Sequence, residues 1–385
     1  MEDNNVKRRE FLGIGAAAAA GALIVGMSGC ESKRPVNYPF PPLLDQAPDG
    51  QPLKAGLIGC GGRGTGAAQQ FIDAGPNCEI TALADVFEDR LQSCWDNLKK
   101  EKNMEVPKEN CFVGLDGYKK LLESDIDVVL IATPPFFRPE QFEAAVNARK
   151  HVFMEKPVAV DPVGARSIMA TAKRADSLGL NVVTGTQRRH NRDYLATFQK
   201  VAEGAIGDIV AANCYWNGSQ LWYKTPKSGW TELEYMIRDW VNWTWLSGDH
   251  IVEQHVHNLD VINWFSQSKP KECVGFGSRQ RRVTGDQYDN FSIDFVYDNG
   301  MHVHSMCRQI NGCENNISEW IVGTKGVSNC KNSIMKHDGT VIWEYEYPKN
   351  DQGESTGNVK VSPYLQEHIH LVTAIRNGEH VNEAE

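Results

Sequence analysis

One short segment constrains this chain more than any other. Leu53-Lys54-Ala55-Gly56-Leu57-Ile58 is an apolar strand-like run that enters Gly59-Cys60-Gly61-Gly62-Arg63-Gly64 without a break. From Thr65 to Asp73 the apolar positions Ala67, Ala68, Phe71 and Ile72 have helical spacing. A G-x-G-x-x-G turn between a strand and a helix is the fingerprint of a dinucleotide site. Gly59 permits the tight turn, Gly61 lets backbone approach a pyrophosphate, and Gly64 lets the helix pack against the sheet. The loop that contains Gly62 and Arg63 opens the helix, whose free N–H groups and positive dipole end suit phosphate oxygens. The next apolar run, Glu79 to Ala84, ends in Asp85, 21 residues beyond Gly64. An acid there accepts from a ribose 2′-hydroxyl and repels a 2′-phosphate, which favours NAD over NADP. Arg63 is the one feature that speaks for NADP.

Strands and helices go on alternating. Helices are expected over 116–123, 139–149 and 161–178, and strands over 127–132, 151–154 and 181–184. Such alternation predicts an α/β fold with a doubly wound parallel sheet, whose ligand lies outside the carboxyl ends of the strands. Thr133, Pro134, Glu155, Lys156 and Gln187 stand at those ends and are the expected companions of the glycine loop in cofactor binding. Residues 53–186 are therefore read as an NAD-binding Rossmann domain and 187–385 as a substrate-binding α/β domain.

Composition narrows the partners. The 385 residues carry 40 basic and 49 acidic side chains, a net charge of −9, which argues against a nucleic-acid binder. Ten cysteines with no C-x-x-C pair support neither a disulfide scaffold nor a zinc ribbon. The first thirty residues read as an address. Lys7-Arg8-Arg9-Glu10-Phe11-Leu12 precedes an uncharged small and apolar run, Gly13 to Met27, resembling a twin-arginine export signal. Met27-Ser28-Gly29-Cys30 resembles a lipobox, with Cys30 as the lipidated residue anchoring the protein to a membrane. The implied location is the periplasm. That route exports folded protein, so the cofactor travels bound and the thiols fold reduced. Residues 31–52 hold six prolines, read either as a semi-rigid spacer behind the anchor or as an irregular arm packed on the body.

The glycine loop, Asp85, Ala132-Thr133-Pro134 and Glu155-Lys156-Pro157 together resemble the glucose–fructose oxidoreductase / inositol dehydrogenase / MocA (Gfo/Idh/MocA) family. The resemblance runs from residue 53 onward and is dense up to 260. It implies a C-terminal α+β domain with a large, mostly antiparallel open sheet, homo-oligomers through that sheet's open face, and redox chemistry on sugars or polyols. It also implies a further helix past the point where this sequence stops. The family's catalytic lysine falls on Lys156, its catalytic histidine on His257, and its catalytic aspartate on Glu253. Two departures stand out: Glu253 is a longer acid, and His255 occupies a glycine position.

The residues agree with that transfer. Asp249 to Trp264 reads as one helix that places His250, Glu253 and His257 on one face. A histidine titrates near working pH, as the base for an alcohol should, and an ammonium at Lys156 would steady the developing alkoxide. Hydride transfer needs no metal, so none is expected. Seven of the ten tryptophans lie between 216 and 264, as core or as platforms for sugar rings. Trp222 and Tyr223 are candidate substrate contacts. Arg188 and Arg238 are either substrate clamps or structural ion-pair residues. Asp298-Asn299-Gly300 is a hairpin signal, and 364–376 a helix. The leading expectation is an exported NAD-dependent oxidoreductase acting on a pyranoside hydroxyl, by resemblance C3. Two others are kept: a redox-assisted glycoside hydrolase that recycles its NAD, and a non-catalytic sugar-binding lipoprotein.

Overall fold

The first sheet follows from six short apolar runs: β1 (Leu53–Ile58), β2 (Cys78–Asp85), β3 (Cys111–Val113), β4 (Val128–Ile131), β5 (His151–Met154) and β6 (Val182–Thr184). They lie in the order β3-β2-β1-β4-β5-β6, all parallel, in a computed structural model that describes residues 40–384. Every residue of β4 is buried, as expected for a strand covered on both faces. The connections carry α1 (Gly62–Asp73), α2 (Glu88–Lys102), α3 (Gly117–Leu122), α4 (Arg138–Asn147) and α5 (Pro162–Ser177). α5 starts where it should: Asp161 accepts from the Gly164 N–H at 2.7 Å, and Pro162 opens the first turn. One apolar cluster joins the sheet to α1 and α2 through Phe71, Leu91 and Leu98. A second joins it to α3, α4 and α5 through Leu121, Phe142 and Ile168.

After α6 (Arg192–Ala202) comes β7 (Ile209–Gly218), then the short helices α7 (Glu232–Arg238), α8 (Thr244–Ser247) and α9 (Asp249–Glu253), and α10 (Val256–Ser266). β8 (Pro270–Ser278), β9 (Asn290–Tyr297), β10 (His302–Gln309), β11 (Asn316–Gly323), β12 (Val327–Ser328), β13 (Ser333–Met335) and β14 (Val341–Glu344) follow, then α11 (Pro363–Asn377). The second sheet has eight strands in the order β14-β13-β12-β11-β7-β10-β9-β8. Only β7 and β10 pair in parallel; its other pairings are antiparallel. The hairpin expected at 298–300 joins β9 to β10, with Gly300 at φ +79°. Along β10, Val303, Ser305 and Cys307 are buried while His302, His304 and Met306 are exposed, so one face is covered and the other open. Phe276 pairs through Ser292 to Met306 and lies on that open face, 79% exposed.

The described part of the proline-rich segment corrects the spacer reading. Residues 40–52 run along the body, held by backbone and side-chain bonds. The Ala47 N–H donates to Ala74 O at 2.7 Å, Arg192 Nη2 to Leu44 O at 2.9 Å, and Arg376 Nη1 to Pro48 O at 2.6 Å. A stretch whose carbonyls are this well paired is an arm, not a tether. The export signal, Cys30 and residues 31–39 lie outside the described residues. At the other end, the Val182 N–H donates to Val381 O and the Glu383 N–H to Val182 O, so 381–383 extend the first sheet at the β6 edge. The nine cysteines described are all free.

Candidate active site

The glycine loop lies where the strand order reverses, between β1 and β4. Gly59 has φ +96°, and a Cβ there would sit 2.7 Å from the Ala132 carbonyl carbon and the Thr133 nitrogen. At Gly64 a Cβ would come within 1.8 Å of Gly59 O. These two positions are closed by protein. Gly61 and Gly62 are the reverse: a Cβ would meet nothing within 4 Å at either. They face open space at the start of α1, where backbone N–H groups await phosphate. The Asp85 carboxylate accepts from the Cys60 N–H at 2.7 Å and the Phe87 N–H at 2.8 Å, which fixes it beside the loop. Burial pushes its pKa up, against the pull of those two N–H groups.

A cavity of about 440 Å³ joins these parts. Its walls include Gly59, Gly61, Gly62, Asp85, Thr133 and Pro134, with Phe137, Trp222, Lys224 and Arg238 opposite. The cradle thus fits a dinucleotide: two glycines open to the cavity, two closed by backbone, and a half-buried acid at the ribose position. Thr133 Oγ1 donates to Gln141 at 2.6 Å. Arg63 and Glu155, both expected at the cofactor, hold each other at 2.5 Å, and Arg63 also donates to Gln70 and lies over the Tyr364 ring. Gln187 donates to the Tyr364 hydroxyl at 3.4 Å.

The candidate catalytic corner draws on both sheets. Lys156, at the end of β5, donates to the backbone carbonyl and to Oε1 of Glu253, the latter at 3.0 Å. The two residues are 97 positions apart. Burial alone would raise the Glu253 pKa, but Lys156, the Gln254 amide and Arg138 hold it below the ordinary carboxylate value. His257 is buried, with its ring stacked on Trp216 of β7 at 5.6 Å and 24°. Burial, then the nearby charges of Lys156 and Arg188, drive its pKa well down, so the imidazole is neutral at working pH. Lys156 and His257 therefore share one electrostatic neighbourhood. Neither lines the 440 Å³ cavity. Arg138 links the two places: buried in full, it donates to the carbonyls of Thr133, Glu155 and Pro157.

Several expectations change. The single helix over 249–264 is two helices, α9 and α10, broken at Gln254 and His255. The break turns His255 toward the second sheet, where Nε2 meets Ser305 Oγ at 2.6 Å; burial pushes its pKa down to about 3. His250 sits at 3.1 Å from Asp249, and among the described residues His250, Glu253 and His257 form no metal-capable group. Arg238 is not a free clamp, because Asp89 takes both its terminal nitrogens and Glu234 its Nε. Trp222 stands with it on the cofactor cavity, and Tyr223 in the adjacent cleft with Lys224 and Trp230. Arg188 pairs with the buried Glu319, which Asn258 and Tyr194 also contact, and lies 5.7 Å over the Trp216 ring. Arg138 and Glu319 carry no signal in the sequence, and Trp216 is one of the clustered tryptophans read as core or sugar platform. Nothing local marks a lone arginine or a strand glutamate whose partners come from distant segments.

Two family models match this chain. Residues 53–182 match the Gfo/Idh/MocA oxidoreductase family, NAD-binding Rossmann fold, and 194–328 match the GFO/IDH/MocA C-terminal domain. The chain belongs to the Gfo/Idh/MocA oxidoreductase family. Among curated relatives, a glycosyl hydrolase family 109 protein of Streptomyces coelicolor is 30% identical over 222 residues, 53% of this chain and 43% of the relative. Inositol 2-dehydrogenase of Salmonella typhimurium is 24% identical over 231 residues, 59% of each chain. The Gfo/Idh/MocA chain described here thus aligns with about half the length of these relatives. Scyllo-inositol dehydrogenase of Lactobacillus casei, solved with bound NAD(H) and scyllo-inositol, has a TM-score of 0.61 at 21% identity, covering 86% of this chain and 92% of that one. Aldose-aldose oxidoreductase of Caulobacter crescentus, complexed with glycerol, has a TM-score of 0.64 at 16% identity, with the same coverage. These likenesses establish the fold: a Rossmann half joined to a mostly antiparallel sheet.

Proposed function

We propose that this protein is an exported sugar or glycoside oxidoreductase that passes hydride between a pyranoside hydroxyl carbon, at C3, and tightly held NAD. The observation that carries the reading is the ion pair of Lys156 with Glu253, close enough that the lysine's charge helps hold the buried His257 neutral. NAD, when bound in the glycine cradle, supplies the hydride acceptor. His257 takes the hydroxyl proton as the ring carbon gives up its hydride, so an alcohol becomes a ketone. Lys156 donates toward the oxygen whose charge grows. Glu253 keeps the Lys156 side chain aimed, and Trp216 fixes the plane of the imidazole. Trp222 and Arg238 act on the cofactor side, closing the cleft over the nucleotide.

A second reading has a specific support, the similarity to glycosyl hydrolase family 109 proteins. There the ketone acidifies the neighbouring C–H, the aglycone leaves, water adds, and the sugar takes its hydride back. One experiment separates the two. The purified full chain is incubated with a panel of glycosides while nicotinamide absorbance and aglycone release are followed. NADH with an accumulating keto-sugar supports the oxidoreductase. Free aglycone with no net NADH supports the hydrolase. No change in either overturns both and leaves a sugar-binding protein. The export reading, with Cys30 as lipid anchor and the periplasm as destination, is tested by fractionation and by the mass of the mature N-terminus. Oligomers would form through the open face that carries Phe276 and Met306.

A further inference from the structure

Away from the Lys156–His257 corner, three chain segments bring a different donor set together. His190 ends the turn of 3₁₀ helix after β6, His370 lies on α11, and Glu383 lies on the segment that extends the first sheet. His190 Nε2 is 3.0 Å from Glu383 Oε1, and His370 Nδ1 is 4.0 Å from the same oxygen. The ligand atoms of all three lie within 4.8 Å of one another. A tetrahedral zinc ion with ligands at about 2.0–2.1 Å needs its donors roughly 3.3 Å apart, so small side-chain shifts close the set.

The hydrogen bonding points to a missing occupant. His190 is 1% exposed, yet neither of its ring nitrogens has a hydrogen-bond partner, and His370 Nδ1 has none either. His190 Nε2 and Glu383 Oε1, 3.0 Å apart, are close enough for one small cation to reach both. Buried polar atoms left this way are rare in native proteins and call for an explanation such as an ion. The carboxylate is also aimed from behind, since Glu383 Oε2 accepts from the Thr184 N–H at 2.8 Å and is 3.3 Å from Thr184 Oγ1. Such outer support is what orients metal ligands.

We propose that His190, His370 and Glu383 form a site for a divalent transition metal of the zinc class, distinct from the cofactor cradle, that fastens 381–383 and α11 to the edge of the nucleotide sheet. Two imidazoles and a carboxylate are the ligand set such ions take. His190 closes the turn that begins with Gln187 and Arg188, so the metal would also stiffen the connection to Glu319.

The test uses the full chain with an N-terminal tag free of histidines. After dialysis against chelator, cobalt(II) is titrated in and visible d–d bands are followed; zinc content is measured by mass spectrometry, and Tm is recorded with and without zinc. The expected result is about one metal per chain, tetrahedral cobalt bands, and a Tm that rises with zinc. Glu383→Gln and His370→Ala should each weaken binding at least about 10-fold and abolish the zinc-dependent rise in Tm. A wild-type chain that takes up no cobalt overturns the proposal, and so does full metal binding in either variant. If a variant fails to fold, the wild-type cobalt titration still decides.

Discussion

The nucleotide cradle and the Lys156 corner lie in one chain and are built on opposite terms. The cradle works by omission. Gly64 has no side chain because Gly59 O occupies the space, and Gly61 has none because the ligand needs it. Its four glycines arrive within a single strand–turn–helix unit. The corner works by convergence, with Lys156 from β5, Glu253 from α9, His257 from α10 and Trp216 from β7. The first depends on local backbone and the second on two sheets being joined correctly. Substitutions should therefore fail differently in the two places.

The largest effect is expected at the corner. His257→Asn removes the proposed base and should lower turnover about 10²- to 10⁴-fold while Tm changes little. Lys156→Met should abolish turnover and also leave Glu253 buried without its partner, at a cost of about 3–5 kcal/mol in denaturant unfolding. Adding Glu253→Leu to Lys156→Met should restore most of that stability and none of the activity. Recovered turnover in the double variant would remove Lys156 from the mechanism.

The cradle predicts a different split. Gly64→Ala forces a Cβ against Gly59 O and should cost about 3 kcal/mol, with nucleotide binding lost alongside. Gly61→Ala meets nothing in the free protein, so Tm without cofactor should hold while NAD affinity falls. Calorimetric NAD titration and thermal melts of the two variants, side by side, test whether omission serves packing at one glycine and ligand at the other.

The same contrast explains what was legible in the sequence. β1 and β5 could be bounded to the residue, because buried parallel strands are continuous apolar runs closed by Gly or Pro. α2 and β7 were not identified, and the break at Gln254 was missed: Ile251, Val252 and Val256 continue a helical pattern through it. Lys156 and His257 could be named by resemblance, but the pairing of Lys156 with Glu253, 97 positions away, is set by how two sheets meet, and no local spacing encodes that. Arg238 shows the converse. As a lone arginine ahead of a histidine helix it suited a substrate clamp, yet its partner Asp89 comes from α2, 149 residues earlier.

The corner should also respond to pH in a definite direction. The folded pKa of His257 lies well below its ordinary 6.5, and that of His255 is about 3. Below pH 6.5 the unfolded chain binds protons at both positions that the folded chain refuses. The stability they contribute is whole above about pH 6.5 and declines as pH falls below it. Glu253, with a depressed carboxylate pKa, adds a loss that starts only below its ordinary 4.5. Melts between about pH 7.5 and 5 should show Tm falling with acid, and His257→Asn should flatten part of that slope. For turnover, kcat/KM should not drop near pH 6.5, since the base stays neutral there; a fall centred on 6.5 would contradict the buried, Lys156-neighboured imidazole.

The smallest effect belongs to the arm, which touches neither region's chemistry. Arg376 donates to the carbonyls of Pro48 and Pro76, each at 2.6 Å, and reaches toward Gln51, so one guanidinium from α11 pins the arm to the turn before β2. Arg192 does the same at Leu44 and Asp45. Each of these bonds serves a carbonyl or carboxylate on a half-buried or exposed residue, where water can take its place, so the net loss on truncation is small. Arg376→Ala should therefore cost about 1–2 kcal/mol and leave NAD affinity unchanged. The packed arm also predicts protection: residues 44–50 should resist a protease that cuts exposed linkers, and Arg376→Ala should open that stretch first. If the wild-type chain is clipped there at once, the arm is a tether after all, and the body begins at β1.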